Sequence, residues 1–445
     1  MIRGLLALAA ALACAVPALA APPADPCAGA KSCATGLGAA QVFALAERYA
    51  AARDFAAAET LLAGLTQDLN PDYRAEARFR LSIVREARGD RVGAIEALKS
   101  LLDEKPNAAR PRLELARLLA LAGDEAGARR ELRRAGAAGL PEDVARVVDR
   151  FALALRSSRT LGGSFEIGIA PDSNINRATT RESVDTVIAP LQLDRDARAQ
   201  SDIGLSLAGQ AFARGVISDD VTLLSRISAR ADLYGKSRFN DVSLTLASGP
   251  EFQTGGARIR PAAVVGRRWF GGRLFSENYG GSLNVLKPLD RTSQIEGELT
   301  VLQSRFPTLR LQDGLLADLS LTYDKAFSPR FSTRVGVRAT RQEARIDFFA
   351  STSAALDLVA SRAFGKQLVF AQATGTRLWG DGPDALFGAA RNDRRLDLTG
   401  GVILRRFTFR GLAPLIRVTR TWSDSTIPIY DFKRTRVEFA LSREF

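Results

Sequence analysis

The chain predicts two domains of different class: an N-terminal α-helical solenoid, then a C-terminal antiparallel, membrane-spanning β-barrel of about fourteen strands. Three observations carry this. The apolar period is helical from Ala39 to about Ser157 and changes to 2 at Ser158. The runs of the second half are apolar on one face and charged on the other, as a barrel with lipid outside and water inside requires. No later stretch approaches the ~20 apolar residues of a spanning helix, so backbone crossing lipid must satisfy itself in a closed sheet.

Residues 1–20 read as a secretory signal: Arg3, an apolar run from Leu5 to Val16, then Ala18-Leu19-Ala20 as a small-x-small cleavage site. The run is too short for a membrane anchor. Cys14 follows Leu12-Ala13 as in a lipoprotein leader, but cleavage there would leave too short an apolar core. The leader 21–38 keeps Cys27 and Cys33. An isolated even pair in an oxidising compartment is read as a disulfide; two free thiols are the other reading.

Residues 39–157 form the helical domain. Gly89-Asp90-Arg91-Val92-Gly93-Ala94 recurs as Gly123-Asp124-Glu125-Ala126-Gly127-Ala128, an offset of 124 − 90 = 34, the period of the tetratricopeptide repeat. Leu81 and Leu115 precede the turn. Ala94 and Ala128 are the small residues where two helices approach, and Leu98 and Leu132 the large ones filling the groove. A looser earlier copy has Asp54, Phe55, Ala58 and Leu62 and ends at Asn70-Pro71; the second closes at Pro106, and Pro141 opens a last helix through about Ser157. Such a stack is a binding scaffold with a concave face.

Residues 158–445 form the barrel. Phe165, Ile167 and Ile169 alternate with Ser164, Glu166 and Gly168, and similar runs follow. Short turns are expected at Gln253–Gly256, Lys287–Thr292 and Phe364–Lys366, with longer outer breaks at Pro171–Ser201, Arg267–Asn278, Arg341–Ser351 and Leu378–Asn392. An even strand number returns the C-terminus to the periplasm, where an exported helical domain must also sit. In the final strand Val437, Phe439, Leu441 and Phe445 share one face, and Arg436, Glu438, Ser442 and Glu444 the other. Arg443 breaks the apolar row, but near a strand end it reaches the headgroups. A terminal Phe resembles the signal by which the barrel-assembly machinery recognises Gram-negative outer-membrane proteins. A soluble β-sandwich would place its polar residues outside and rarely reaches this many strands.

The 62 Lys and Arg against 49 Asp and Glu give a net charge of +13. The positive charge is mostly arginine, is spread through both halves and forms no aromatic-interleaved patch, which argues against nucleic acid. There is no histidine, which removes Ser-His and Cys-His mechanisms and most zinc sites. Gly235-Lys236-Ser237 has the tail of a phosphate loop, but Arg230 stands where its first glycine belongs. No catalytic, cofactor or metal site is read. Arg226, Arg230, Arg258, Arg260, Arg334, Arg338 and Arg417 are expected to face inward, and so are Glu296, Glu298, Asp318, Asp357, Asp397 and Glu438. A lumen of mixed sign favours cross-strand ion pairs.

The order signal, short repeat array and a barrel opening Gly163-Ser164-Phe165-Glu166-Ile167-Gly168-Ile169-Ala170-Pro171-Asp172-Ser173-Asn174-Ile175-Asn176 resembles the surface lipoprotein assembly modulator (Slam) family. Asp172, Ser173, Asn174, Ile175 and Asn176 form its most specific motif. The resemblance implies a fourteen-stranded outer-membrane barrel with a periplasmic repeat domain, and a translocator that helps particular lipoproteins reach the cell surface. Its partners would be a lipoprotein client, outer-membrane lipid and the assembly machinery. From the residues alone, Asp, Ser and Asn at a strand end fix a turn by bonding nearby backbone, and Ile175 suggests a segment folded inward. The alternative reading is a polysaccharide-export porin, which also joins repeats to a barrel, or a porin of unknown cargo.

Overall fold

The computed structural model describes residues 36–138, 160–218, 221–408 and 412–443. The expected signal, Cys27 and Cys33, the helix from Pro141 and the terminal Phe445 lie outside them.

Among the described residues six helices come first: α1 (Ala39–Ala51), α2 (Phe55–Leu65), α3 (Pro71–Ala87), α4 (Arg91–Glu104), α5 (Ala109–Ala122) and α6 (Glu125–Gly136). They pair as hairpins α1–α2, α3–α4 and α5–α6, and the same device builds each hinge. Asp54, Asp90 and Asp124 cap the second helix by accepting from the backbone N–H of Ala57, Gly93 and Gly127, at 3.1, 2.9 and 2.7 Å. The residue before each cap has positive φ: Arg53 at +61°, Gly89 at +90° and Gly123 at +92°. Glycine reaches that region freely, whereas Arg53 is strained. The first hinge is also out of phase, since 90 − 54 = 36 against 34 for the next. Ala58, Ala94 and Ala128 are fully buried at the three helix crossings, with Leu62, Leu98 and Leu132 packed beside them.

The barrel strands are β1 (Leu161–Asp172), β4 (Asp202–Val216), β5 (Val221–Tyr234), β6 (Asp241–Thr254), β7 (Ala257–Phe270), β8 (Arg273–Pro288) and β9 (Ser293–Arg305). They continue as β10 (Gly314–Ala326), β11 (Phe331–Gln342), β12 (Ser351–Phe364), β13 (Gln367–Pro383), β14 (Ala390–Leu404), β15 (Leu412–Ser425) and β16 (Phe432–Arg443). Two short strands, β2 (Ser183–Val184) and β3 (Leu191–Gln192), pair inside the first outer loop. Fourteen antiparallel strands close the barrel, β1 meeting β16. Alternation is plain in β12, where Leu356 and Leu358 are exposed to lipid and the Asp357 carboxylate turns inward to Gln372 and Thr374.

Two expected outer loops are corrected. β7 and β8 run through the proposed break at Arg267–Asn278 and turn on Gly271-Gly272 alone; at Leu378–Asn392 the strands extend to Pro383 and resume at Ala390. Both segments carry charge near the outer rim. Polar strand ends there emerge from the membrane, so loss of hydrophobic alternation does not mark the end of pairing. The closing seam is irregular near that rim: β1 pairs β16 from Phe165 to Ile169 and again at Asp172, skipping Ala170 and Pro171. Proline has no N–H for a ladder.

Candidate functional site

The helical domain lies across the periplasmic mouth of the barrel, and α6 is the element that fits it there. In twelve residues α6 holds Arg129, Arg130, Arg133 and Arg134 with Glu125 and Glu131. Its apolar stripe, Ala128, Leu132 and Ala135, is buried within the helical stack. Its charged residues Glu125, Glu131 and Arg133 are buried too, which requires partners. Glu125 accepts from Arg214 of β4 at 2.7 Å, from Arg260 of β7 at 3.0 Å, and from Arg258. Arg129, one turn along, adds a fourth guanidinium at 3.1 Å. Burial opposes ionisation of Glu125, but Arg258, Arg129, Arg260 and Arg214 outweigh it and hold its carboxyl well below the usual range. Glu251 sits behind, bonded to Arg260. Glu131 is pulled down to about 2: burial opposes its charge, and Arg134 and Arg112 overcome that.

Three further contacts fix the dock. Arg133 reaches Asp324 of β10 at 4.0 Å. Asp103 of α4 pairs with Arg405, in the turn after β14, at 2.7 Å. Gly136, at the end of α6, approaches the turn between β8 and β9 so closely that an added Cβ would lie 2.5 Å from the Arg291 carbonyl oxygen. Beside α6 the described residues line openings at the mouth, of which two are large. One, of about 410 Å³, has an apolar wall including Val92, Ile95, Leu368 and Ile403, with Lys99 and Lys366 nearby. The other, of about 320 Å³, leads past Arg129 and Arg133 toward Arg226 and Glu296.

Beyond the mouth the lumen is cross-braced by ion pairs. Arg417 bridges Glu438 at 2.5 Å and Glu166 at 2.7 Å, tying β15 to both strands of the seam. Arg338 pairs with Asp318, Arg334 with Asp324 and Arg395 with Asp397, at 2.7 to 2.8 Å. Opposite charges in such positions neutralise one another rather than form a single-sign conduit.

The motif after β1 sits at the outer end. Asp172 is wholly buried and accepts from the Arg434 Nε at 2.9 Å, the Tyr234 hydroxyl at 3.3 Å and the Asn174 N–H at 3.0 Å. Ser173 accepts at Oγ from the Thr435 N–H at 2.8 Å. Asn174 donates to the Ala178 and Lys433 carbonyls, and Asn176 to those of Asp196 and Arg198. Ile175 is buried with Tyr234 and Phe239. The motif thus pins the 173–201 loop over the strand ends. In β16, Phe439 and Leu441 are exposed on the outer wall and Val437 is half-buried, while Glu438 is buried inside.

The sequence marks Arg258 and Arg260 as lumen residues. It gives no sign that Glu125, Asp103, Arg214 or Arg405 meet barrel or helix, because Glu125 reads as an ordinary acidic first-turn residue.

The description surface lipoprotein assembly modifier matches residues 163–445, all of the barrel but the first two residues of β1, and a tetratricopeptide repeat matches 86–148. No curated protein matches. Among solved structures, the toluene transporter TodX of P. putida shares 9% identity, with 64% of this chain and 90% of that chain covered and a TM-score of 0.36. Salmonella typhi OmpF in complex with daunomycin shares 7%, covering 63% and 97%, TM-score 0.35. A bacterial polysaccharide outer membrane secretin shares 11%, covering 63% and 98%, TM-score 0.33. With repeats at its periplasmic mouth and a family match across all its barrel strands, this outer-membrane chain belongs to the surface lipoprotein assembly modifier family.

Proposed function

We propose that the protein is a translocator that delivers particular lipoproteins to the cell surface, the repeats engaging the client and the barrel assisting its passage. The observation that carries this reading is the seating of α6 across the barrel mouth by Glu125 and its arginines. With α6 seated across the mouth, a client bound on the repeats already stands at the entrance, and passage requires the α6 contacts to yield. The test is protease accessibility of a co-expressed lipoprotein on intact cells, with full-length protein, a barrel beginning at Ser158 and an empty vector. Full-length protein should expose the client and the barrel alone should do so poorly, because the surface that raises its local concentration is gone. Secretion of an acidic glycan without any exposed lipoprotein would replace this reading by that of an export porin.

A further inference from the structure

The outer wall carries a second feature, away from the mouth. On β13 and β14, Arg377 and Arg394 stand directly opposite each other. They share their face with Leu396 and Gly375, which are paired in the same register and face lipid. Like charges directly opposed across a sheet are destabilising, more so beside lipid. Two other outward arginines near this rim have carboxylate partners: Arg267 pairs with Glu277 at 2.9 Å and Arg341 with Asp381 at 2.6 Å. Neither Arg377 nor Arg394 has an ion-pair partner among the described residues, although Asp424 occupies the cross-strand position next to Arg394. Arg377 lies instead over the Trp379 ring at 5.9 Å, and Arg420 over Trp422 at 5.5 Å. Lys433, opposite Trp422, is exposed.

Beside the two arginines, and lined by them, is a groove of about 1020 Å³ in the outer wall, with Ala354 directly opposite Arg377 and Ala339 opposite Ala354. Its floor is made of small residues, Ala339, Ala354 and Gly375, between Leu321, Leu356 and Leu396. Gly375 has no atom within 4 Å of where a Cβ would sit, so the floor is open. Two cations without ion pairs at the edge of an apolar trough match an amphiphile with an anionic head and an alkyl tail.

We propose that this groove binds a phosphorylated glycolipid of the outer leaflet, a phosphate lying between Arg377 and Arg394 and an acyl chain along Gly375, Ala354 and Ala339. Phosphate supplies a counter-charge between the two guanidiniums, neither of which ion-pairs with Asp424 beside Arg394, and guanidinium forks suit it geometrically. The position near the outer rim selects the outer-leaflet lipid over phospholipids of the inner leaflet.

The experiment uses full-length protein in nanodiscs and measures retained or added lipid by native mass spectrometry. The probes are bis-phosphorylated lipid A, dephosphorylated lipid A and phosphatidylglycerol. Wild type should bind lipid A at least tenfold better than either other lipid. R377A/R394A should lose that preference and R377K/R394K should keep part of it. G375F, which leaves the arginines in place and fills the floor, should weaken lipid A binding as well. Heat-modifiable mobility establishes that each variant is folded. Equal binding of phosphorylated and dephosphorylated lipid A by wild type would overturn the proposal even if no variant folds. So would phosphatidylglycerol binding as well as lipid A, or unchanged lipid A binding by folded R377A/R394A.

Discussion

The Asp103 side chain is 7% exposed with its carboxylate 2.7 Å from Arg405, yet burial outweighs Arg405, Lys366 and Lys99 and raises it from 3.8 to about 6. A carboxyl raised on folding contributes stability that is present below its unfolded value and is lost as pH rises through 6. An amide in its place would mimic the neutral form at every pH. D103N should therefore stabilise the protein at pH 7.5, by roughly 1–3 kcal/mol, and the gain should vanish as pH falls toward 4. Thermal melts of both proteins across that range check it; a variant less stable at pH 7.5 would show that the Arg405 pair dominates. Asp172 is the opposite case, a buried carboxylate with Arg434, Tyr234 and a backbone N–H all donating to it. D172A leaves Arg434 buried without its carboxylate at a local cost of roughly 3–5 kcal/mol. The 173–201 loop should then be cut faster by protease on intact cells, with the barrel still inserted.

At the scale of elements, the hairpins and α6 obey different constraints. Ala94 and Ala128 occupy crossings with no exposed surface, so A94W or A128W overpacks them at about 1–3 kcal/mol each. Circular dichroism of an Ala21–Ser157 fragment reads this, and melts equal to the parent would place the crossings elsewhere. α6 answers instead to the barrel. E125Q removes the carboxylate that neutralises arginines on β4 and β7, loosening the helix from the mouth. Single-channel conductance in planar bilayers should rise in E125Q relative to wild type; an unchanged trace would mean that α6 does not obstruct the pore.

For the whole molecule, assembly and docking are separable. The backbone ladder of the strands closes on itself around the barrel, and the helices reach the strands through side chains, so the chain from Ser158 should insert without the helices. Phe445 continues the sequence row of Val437, Phe439 and Leu441, and deleting it should lower the yield of heat-modifiable barrel. Normal folded levels without it would count against a terminal insertion signal.

The sequence by itself determined the two periods, the repeat hinges at Asp90 and Asp124, the face each strand turns to lipid and a strand number near fourteen. These are local properties: capping, φ and alternation act within a few residues, so they stand in the chain before it folds. It overestimated the loops after Arg267 and Leu378, because a strand leaving the membrane changes its side chains without changing its pairing. Only the tertiary structure decided that Glu125 meets Arg258 and Arg260, more than a hundred residues away, that Arg417 ties Glu166 to Glu438 across the seam, and that Arg377 faces Arg394 over an open floor. Each depends on register and on closure of the barrel. A shift of a single strand by one residue would turn those side chains to the other face, and nothing in the local pattern of α6 specifies which carboxylate the barrel's arginines receive.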